Sequence, residues 1–197
     1  MVPRLTLTAR TLLAGLLIGL SFASFAAEPD MAAINSLDRA AFVEKFGGIF
    51  EKSPWVAELA WDKKPFSTVD EMHAAMVTVV KYAPLPSQLK LLQNHPDLAG
   101  KEAQAGAMTA SSVSEQASAG LNALTKSEMT QIASFNVAYK EKFGFPFIIA
   151  VRMHTKEGIF FDFSRRLQND TQTEYLNDLQ NVYAITRLRL DKLLSGS

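Results

Sequence analysis

Helical periodicity, interrupted by prolines and glycines, is the feature that most restricts what this chain can fold into. From residue 36 onward, apolar side chains recur at intervals of three and four, and no segment sustains the two-residue alternation of a half-buried strand. Three segments open with the S/T-x-x-E signature of a helix start, at Thr68, Ser112 and Thr125. The pattern predicts an all-α fold, built as a single compact multi-helix domain.

One apolar run is not resolved by periodicity. The run GFPFIIAV, residues 144–151, is short enough to be a buried strand or the start of a buried helix. Pro146 argues against a central strand, because proline cannot donate a ladder hydrogen bond. Both alternatives remain open from the sequence.

The N-terminal residues have a composition of their own. Arg4 and Arg10 are followed by an apolar run over residues 12–20 and then by small residues up to Ala26. This layout predicts a secretory signal peptide over residues 1–26, cleaved after Ala26, so that residues 27–197 form the working domain. A membrane anchor is the alternative, but the apolar run is shorter than the ~20 residues that a span requires. We therefore expect an exported protein without membrane association after cleavage.

Charge and residue types exclude several classes of function. Lys and Arg number 20, as do Asp and Glu, so the chain has no basic footprint for nucleic acid. The absence of cysteine excludes disulfides, thiolate catalysis and sulfur-ligated metals. The three histidines form no H-E-x-x-H pair, and no G-x-S-x-G, phosphate-loop or dinucleotide motif occurs. We predict no metal site.

A histidine stands where a helix has to end. In LKLLQNHPDLAGK an apolar helical face leads to His95, and Pro96 disfavours helical geometry in the residue before it. His95 is either a stabilising imidazole at the C-terminal end of the helix dipole or a functional group that titrates near neutral pH. Glu115 is likewise either a helix-capping residue or a group that faces a ligand.

The last predicted helix carries two arginines, Arg187 and Arg189. They are separated by two positions, so they face different directions on the helix. At most one of them can point into a given cleft.

A set of segments resembles a known family. The segments are FEKSPWVAELAW, KPFSTVDEMHAAM, HPDLAGK, SVSEQASAGL, KFGFPFIIAVR, RLQND and AITRLRLDKLL. Over about residues 35–195 they are similar to 2-oxo-4-hydroxy-4-carboxy-5-ureidoimidazoline (OHCU) decarboxylase of urate degradation. The resemblance implies an all-α, cofactor-free carboxy-lyase, commonly a homodimer. Its small-molecule substrate would be OHCU, converted to (S)-allantoin and CO2 in the last step from urate.

The resemblance also implies roles for individual residues. It makes His95 and Glu115 the catalytic residues, acting as a polarising pair, and leaves open whether His95 delivers a proton or only orients the substrate. An arginine suits the planar substrate carboxylate, because it forms two parallel hydrogen bonds. The implied substrate contacts are Pro96, Ser112, Gln116, Phe147, Ile148, Ile149, Ala150, Val151 and Arg189.

Localisation and a rival function complete the expectations. Many relatives are cytosolic or peroxisomal, whereas this chain has a predicted leader and ends in SGS rather than a peroxisomal S-K-L tail. We therefore expect it in a bacterial periplasm.

The competing interpretation is an exported, non-catalytic binding protein for ureides such as allantoin. The pair of His95 and Glu115 argues against it, because a binding protein has no need of that pair.

Overall fold

The computed structural model describes residues 29–195, and every regular element in that range is helical. The α-helices are α1 (Met31–Ser36), α2 (Arg39–Phe46), α3 (Trp55–Trp61), α4 (Val69–Tyr82), α5 (Leu85–Gln93), α6 (Lys101–Gln104), α7 (Ala110–Ser118), α8 (Lys126–Phe143), α9 (Lys156–Arg166) and α10 (Thr171–Ser195), with a 3₁₀ turn at Val151–Met153. The prediction of an all-α fold is confirmed. The predicted leader over residues 1–26 lies outside the described residues. Among residues 29–195, none of the helices combines the length and the apolarity needed to cross a membrane.

Polar side chains cap the helix starts. Thr68 and Thr125 each accept a hydrogen bond from the backbone amide three residues later, as their signatures predicted. The third predicted start is wrong, because the cap of α7 is Thr109, whose hydroxyl accepts from the amide of Ser112. Glu115 therefore lies in the second turn of α7 and has no capping role.

The long helix α10 organises the packing. It contacts α4, α5 and α8, and its Val182 and Leu190 are completely buried. An aromatic cluster also fills the core, where the rings of Phe147 and Phe163 stack at 3.9 Å and Tyr139 meets Phe147 edge-on at 5.3 Å. Buried apolar area of this kind is the main stabilising contribution to a domain of this size.

The end of α5 is fixed to the turn that follows α2. The helix ends at Gln93 with Asn94 as its C-cap, so the predicted ending before Pro96 is confirmed. The Asn94 side chain donates hydrogen bonds to the Lys52 carbonyl at 3.1 Å and to the Ser53 hydroxyl at 3.2 Å. His95 is thus carried on a short, anchored stretch of chain.

Residues 145–150 of the apolar run that the sequence left unresolved form a connection, here called the extended run, that is neither a strand nor a helix, and Val151 begins the 3₁₀ turn. The backbone amides of Ile148 and Ala150 donate to side-chain oxygens of Asp178 and Asn181 on α10, both at 3.0 Å. The amide of Ile149, which lies between these two donors, has no hydrogen-bond partner within residues 29–195.

Candidate active site

A cavity between α5, α7, α10 and the extended run brings the predicted site residues together. Its space not filled by atoms amounts to about 360 Å³, the part open to solvent included. Of the predicted residues, it is lined by His95, Pro96, Ser112, Glu115, Gln116, Phe147, Ile148, Ile149, Val151 and Arg189. Ala150 lines a smaller pocket that adjoins the cavity at Glu115 and Val151. Leu98 and Ile185 also line the cavity and were not predicted.

His95 lines the cavity and keeps one ring nitrogen without a hydrogen-bond partner among the described residues. Its Nδ1 lies 2.9 Å from the carbonyl oxygen of Leu91, which can only accept, so we assign the ring proton to Nδ1. Burial lowers the pKa of His95 to about 4, outweighing the opposing effects of the Leu91 hydrogen bond and the Glu51 charge. The imidazole is therefore neutral at physiological pH. Its Nε2 is buried and has no hydrogen-bond partner among the described residues.

Arg189 is fully occupied by protein acceptors. Its Nε and Nη2 donate to the two oxygens of Glu115, each at 2.8 Å, in the bidentate geometry expected toward a carboxylate. Nη1 donates to Glu51 at 2.9 Å and to the Ile49 carbonyl at 3.4 Å, and Nη2 also donates to the Ser112 hydroxyl at 3.2 Å. All five of its N–H groups are thus engaged. A substrate carboxylate could therefore bind Arg189 directly only by displacing one of these hydrogen bonds, so the structure leaves no free N–H group for the substrate contact that the resemblance implies.

Glu51 is a charged residue of the site that sequence reasoning missed. It lies in the turn after α2, is 1% exposed, and accepts hydrogen bonds from Arg189, from Ser112 at 3.0 Å and from Thr109 at 3.2 Å. Burial raises the pKa of Glu51, but the Arg189 charge and these hydrogen bonds outweigh burial and leave the pKa below its ordinary value. Glu51 therefore stays ionised at neutral pH, and its Oε1 has no partner among residues 29–195.

Gln116 holds the turn that follows Pro96. Its Oε1 accepts from the amide of Ala99 at 2.8 Å, and its Nε2 donates to the carbonyl of Asp97 at 3.3 Å. Ala99 has a φ of 48°, a left-handed conformation, so this hydrogen bond supports a strained backbone. Gly100 is required beside it, because a Cβ there would lie 2.5 Å from the Asp97 Cβ. Gln116 lines the cavity, but its polar atoms serve the turn.

The polar inventory of the site defines its chemistry. It comprises a neutral imidazole with an available lone pair, one guanidinium between two carboxylates, and the unpartnered amide of Ile149. Within the described part of the chain, no cluster of three or more His, Asp or Glu side chains is arranged to hold a metal ion. Such a site can hydrogen-bond a small polar ring and move a proton between two of its atoms.

Comparison with known proteins gives a consistent result. The family model described as OHCU decarboxylase matches residues 35–191. A Haloferax volcanii protein named 2-oxo-4-hydroxy-4-carboxy-5-ureidoimidazoline decarboxylase is 42% identical over 163 residues, which cover 83% of this chain and 95% of that protein. A Mus musculus protein of the same name is 37% identical over 167 residues, covering 85% and 94%. The crystal structure of an (S)-allantoin synthase superposes on this chain with a TM-score of 0.68 at 28% sequence identity. The match covers 83% of this chain and 54% of the synthase chain, so this chain spans about half of the synthase.

Proposed function

The chain belongs to the OHCU decarboxylase family, and we infer that it is a carboxy-lyase of urate degradation. It converts OHCU to (S)-allantoin and CO2. One observation in the structure supports this activity most directly. The buried Nε2 of His95 has no partner among residues 29–195, and His95 lines the cavity together with every other predicted site residue except Ala150.

The substrate supplies its own electron sink. When the bond to the carboxylate breaks and CO2 leaves, its electron pair forms a C=C bond to the ring carbon that carries the ureido group. The π pair of that carbon's C=N bond moves to nitrogen, which takes a proton from solvent. The resulting enol becomes allantoin when its hydroxyl loses a proton and the carbon that carries the ureido group gains one. The protein has to orient the carboxylate out of the ring plane and deliver the carbon proton to one face.

We assign the proton transfer to His95. Its neutral Nε2 accepts the proton of the substrate hydroxyl and returns a proton to the ring carbon on the same face. The hydrogen bond from Nδ1 to Leu91 fixes the tautomer and stops the ring from rotating. Glu115, held in place by Arg189, completes the polarising pair beside the hydroxyl and carboxylate.

The remaining predicted residues bind and orient the ring. We propose that the amide of Ile149 donates to a ring carbonyl, because its neighbours Ile148 and Ala150 already donate to α10. Apolar contact with the ring faces comes from Pro96, Phe147 and Val151. Ser112 and Gln116 act through the groups that they hold, which are Glu51 with Arg189 and the turn after Pro96.

Circular dichroism of allantoin formed from urate tests this function. Urate oxidase and hydroxyisourate hydrolase generate OHCU in the cuvette, where spontaneous decay yields a racemate without a lasting signal. We expect a persistent (S)-allantoin signal with the protein, and a kcat lower by at least ~100-fold with His95→Asn. His154→Asn is the matched control, because His154 is partly exposed and lies outside the cavity. Racemic product with folded wild-type protein would contradict the proposal and favour a ureide-binding protein.

We also propose that the protein is exported to a bacterial periplasm after cleavage behind Ala26. The basic and apolar layout of residues 1–26 supports this. Expression of the full chain in a Gram-negative host should give periplasmic protein whose N-terminal residue is Ala27. Uncleaved cytoplasmic protein would contradict export.

A homodimer is the oligomeric state that we propose, on the basis of the family resemblance. Light scattering coupled to size exclusion should report twice the mass of the mature chain. A monomer at micromolar concentration would contradict the proposal.

A further inference from the structure

A second, larger cleft lies against the outer side of the active-site cavity. Its space not filled by atoms is about 980 Å³, the part open to solvent included. Arg189 and Glu115 line both the cleft and the cavity, so this ion pair forms a wall that the two spaces share. A small molecule that enters the cleft therefore reaches the active-site residues directly.

The cleft is lined by cations that have no carboxylate partner. Lys45, Arg152 and Lys192 are exposed, and none of them forms an ion pair within residues 29–195. Arg152 donates one hydrogen bond to the hydroxyl of Ser114 at 3.0 Å. The one acidic side chain that lines the cleft is Glu115, and Arg189 already neutralises it.

This excess of positive charge is local. The whole chain has equal numbers of cationic and anionic residues. The inner site places Arg189 against two carboxylates, Glu51 and Glu115, so it offers no net attraction to an anion. A cleft lined by charges of one sign focuses the electric field and raises the local concentration of an oppositely charged ligand. The association rate of that ligand rises by roughly 10- to 1,000-fold.

We propose that this cationic cleft attracts the carboxylate of the incoming substrate and concentrates the substrate beside the inner cavity. The inference rests on the proposed function, because OHCU carries a carboxylate and the allantoin produced from it does not. Lys45, Arg152 and Lys192 therefore attract the substrate and do not retain the uncharged product. The ligand class of the cleft is a small ring monocarboxylate.

The test is the ionic-strength dependence of kcat/KM in the coupled allantoin assay. We expect the double variant Lys45→Gln with Lys192→Gln to lower kcat/KM about 10-fold at low salt, with kcat within twofold of wild type. The difference should vanish near 0.5 M salt, where the Debye length falls to about 4 Å. Unchanged kcat/KM and unchanged salt dependence in the double variant, with allantoin still formed, would overturn the inference and leave the activity standing.

Lys81→Gln is the matched control. Lys81 lies on α4, and its carbonyl is hydrogen-bonded by Gln88, which in turn contacts Tyr175. Tyr175 and Lys192 are 17 residues apart on α10, or about 25 Å at 1.5 Å per residue. Loss of one exposed lysine there should change neither kcat/KM nor its salt dependence.

A binding experiment keeps the inference testable without turnover. Hydantoin-5-acetate combines a related ring with a carboxylate, and 5-methylhydantoin is its uncharged counterpart. In calorimetric titrations at low salt, the acetate should bind wild-type protein several-fold more tightly than it binds the double variant, and 5-methylhydantoin should bind both alike. Equal binding of the acetate to both proteins would contradict the inference.

Discussion

Two buried arginines, Arg166 on α9 and Arg189 on α10, occupy closely similar sites. Arg166 donates to Glu174 at 2.9 Å and to Asp178 at 2.6 Å, and Arg189 donates to Glu51 and Glu115 at 2.8–2.9 Å. Each guanidinium thus lies between two carboxylates in the protein interior. Each also donates to a backbone carbonyl.

The two clusters differ in the polar atoms that they leave unpartnered. Around Arg166, the second oxygen of Glu174 accepts from two asparagine side chains, and the Tyr139 hydroxyl lies within hydrogen-bond distance of both carboxylates. Around Arg189, by contrast, Glu51 Oε1 and the neighbouring Nε2 of His95 have no partner among the described residues. A fully satisfied network is rigid, whereas an unsatisfied buried acceptor costs free energy and therefore calls for an explanation such as a ligand.

The comparison separates a structural cluster from a reactive one. Arg166 and Asp178 hold the carbonyl and the amide of Ile148, so the first cluster fixes the extended run that lines the cavity. The second cluster holds Glu115 and leaves acceptors available at the cavity. The same residue types serve both purposes, and the completeness of their hydrogen bonding distinguishes them.

The largest expected effect on stability comes from breaking the structural cluster around Arg166. Arg166→Met leaves Glu174 as an uncompensated buried charge and deprives Asp178, whose pKa burial already raises to about 7, of its cation. We therefore expect a loss of about 3–5 kcal/mol in the free energy of unfolding, measured in urea. Adding Glu174→Gln and Asp178→Asn removes both ionisable groups and should restore part of the stability. If the free energy of unfolding of Arg166→Met alone stays within about 1 kcal/mol of wild type, the cluster around Arg166 does not have this structural role.

Acid should destabilise the protein through His95, which lies beside the reactive cluster around Arg189. Its pKa is about 4 in the folded protein, against an ordinary value of 6.5 for an exposed imidazole, so the unfolded chain binds more protons between these values. Stability is therefore fully present above pH 6.5 and is lost as pH falls toward 4, by on the order of 3 kcal/mol. Urea titrations of wild type and His95→Asn at several pH values measure this difference. Parallel pH profiles for the two proteins would contradict a buried, neutral imidazole.

The smallest expected effect tests Glu51. Glu51→Gln keeps the shape of the side chain but removes the charge that orients Arg189, so we expect kcat to fall about 10-fold, ~1.4 kcal/mol, with little change in KM. Glu44→Gln, on the exposed face of α2, is the control. A variant with unchanged kcat would make Glu51 part of a structural cluster like that of Arg166.

Local patterns predicted much of this molecule. Helical periodicity predicted the fold, and the proline after His95 predicted the end of α5. The spacing of Arg187 and Arg189 predicted different directions, and Arg187 indeed pairs with Asp70 and Asp191 on the surface while Arg189 is buried. The residues implied by the family resemblance gather around one cavity and its adjoining pocket.

The parts that were missed depend on contacts between distant segments. Glu51 lies 138 residues from Arg189, and no spacing in its own turn indicates that partner. The misplaced start of α7 arose because Thr109 and Ser112 both fit the cap position. One usable signal was overlooked, since Glu174 and Asp178 are like charges at i and i+4 on the buried face of α10, which requires a cation opposite them.

The short helix α6 has a consequence for hydrogen exchange. It has no buried residue, yet it joins the turn after Pro96 to α7, two walls of the cavity. Its amides should exchange through local opening, whereas those of Val182 and Leu190 in α10 should exchange only when the whole domain unfolds. Local opening beside the cavity and unfolding of the whole domain are then separate events, and exchange rates can report each of them in one experiment.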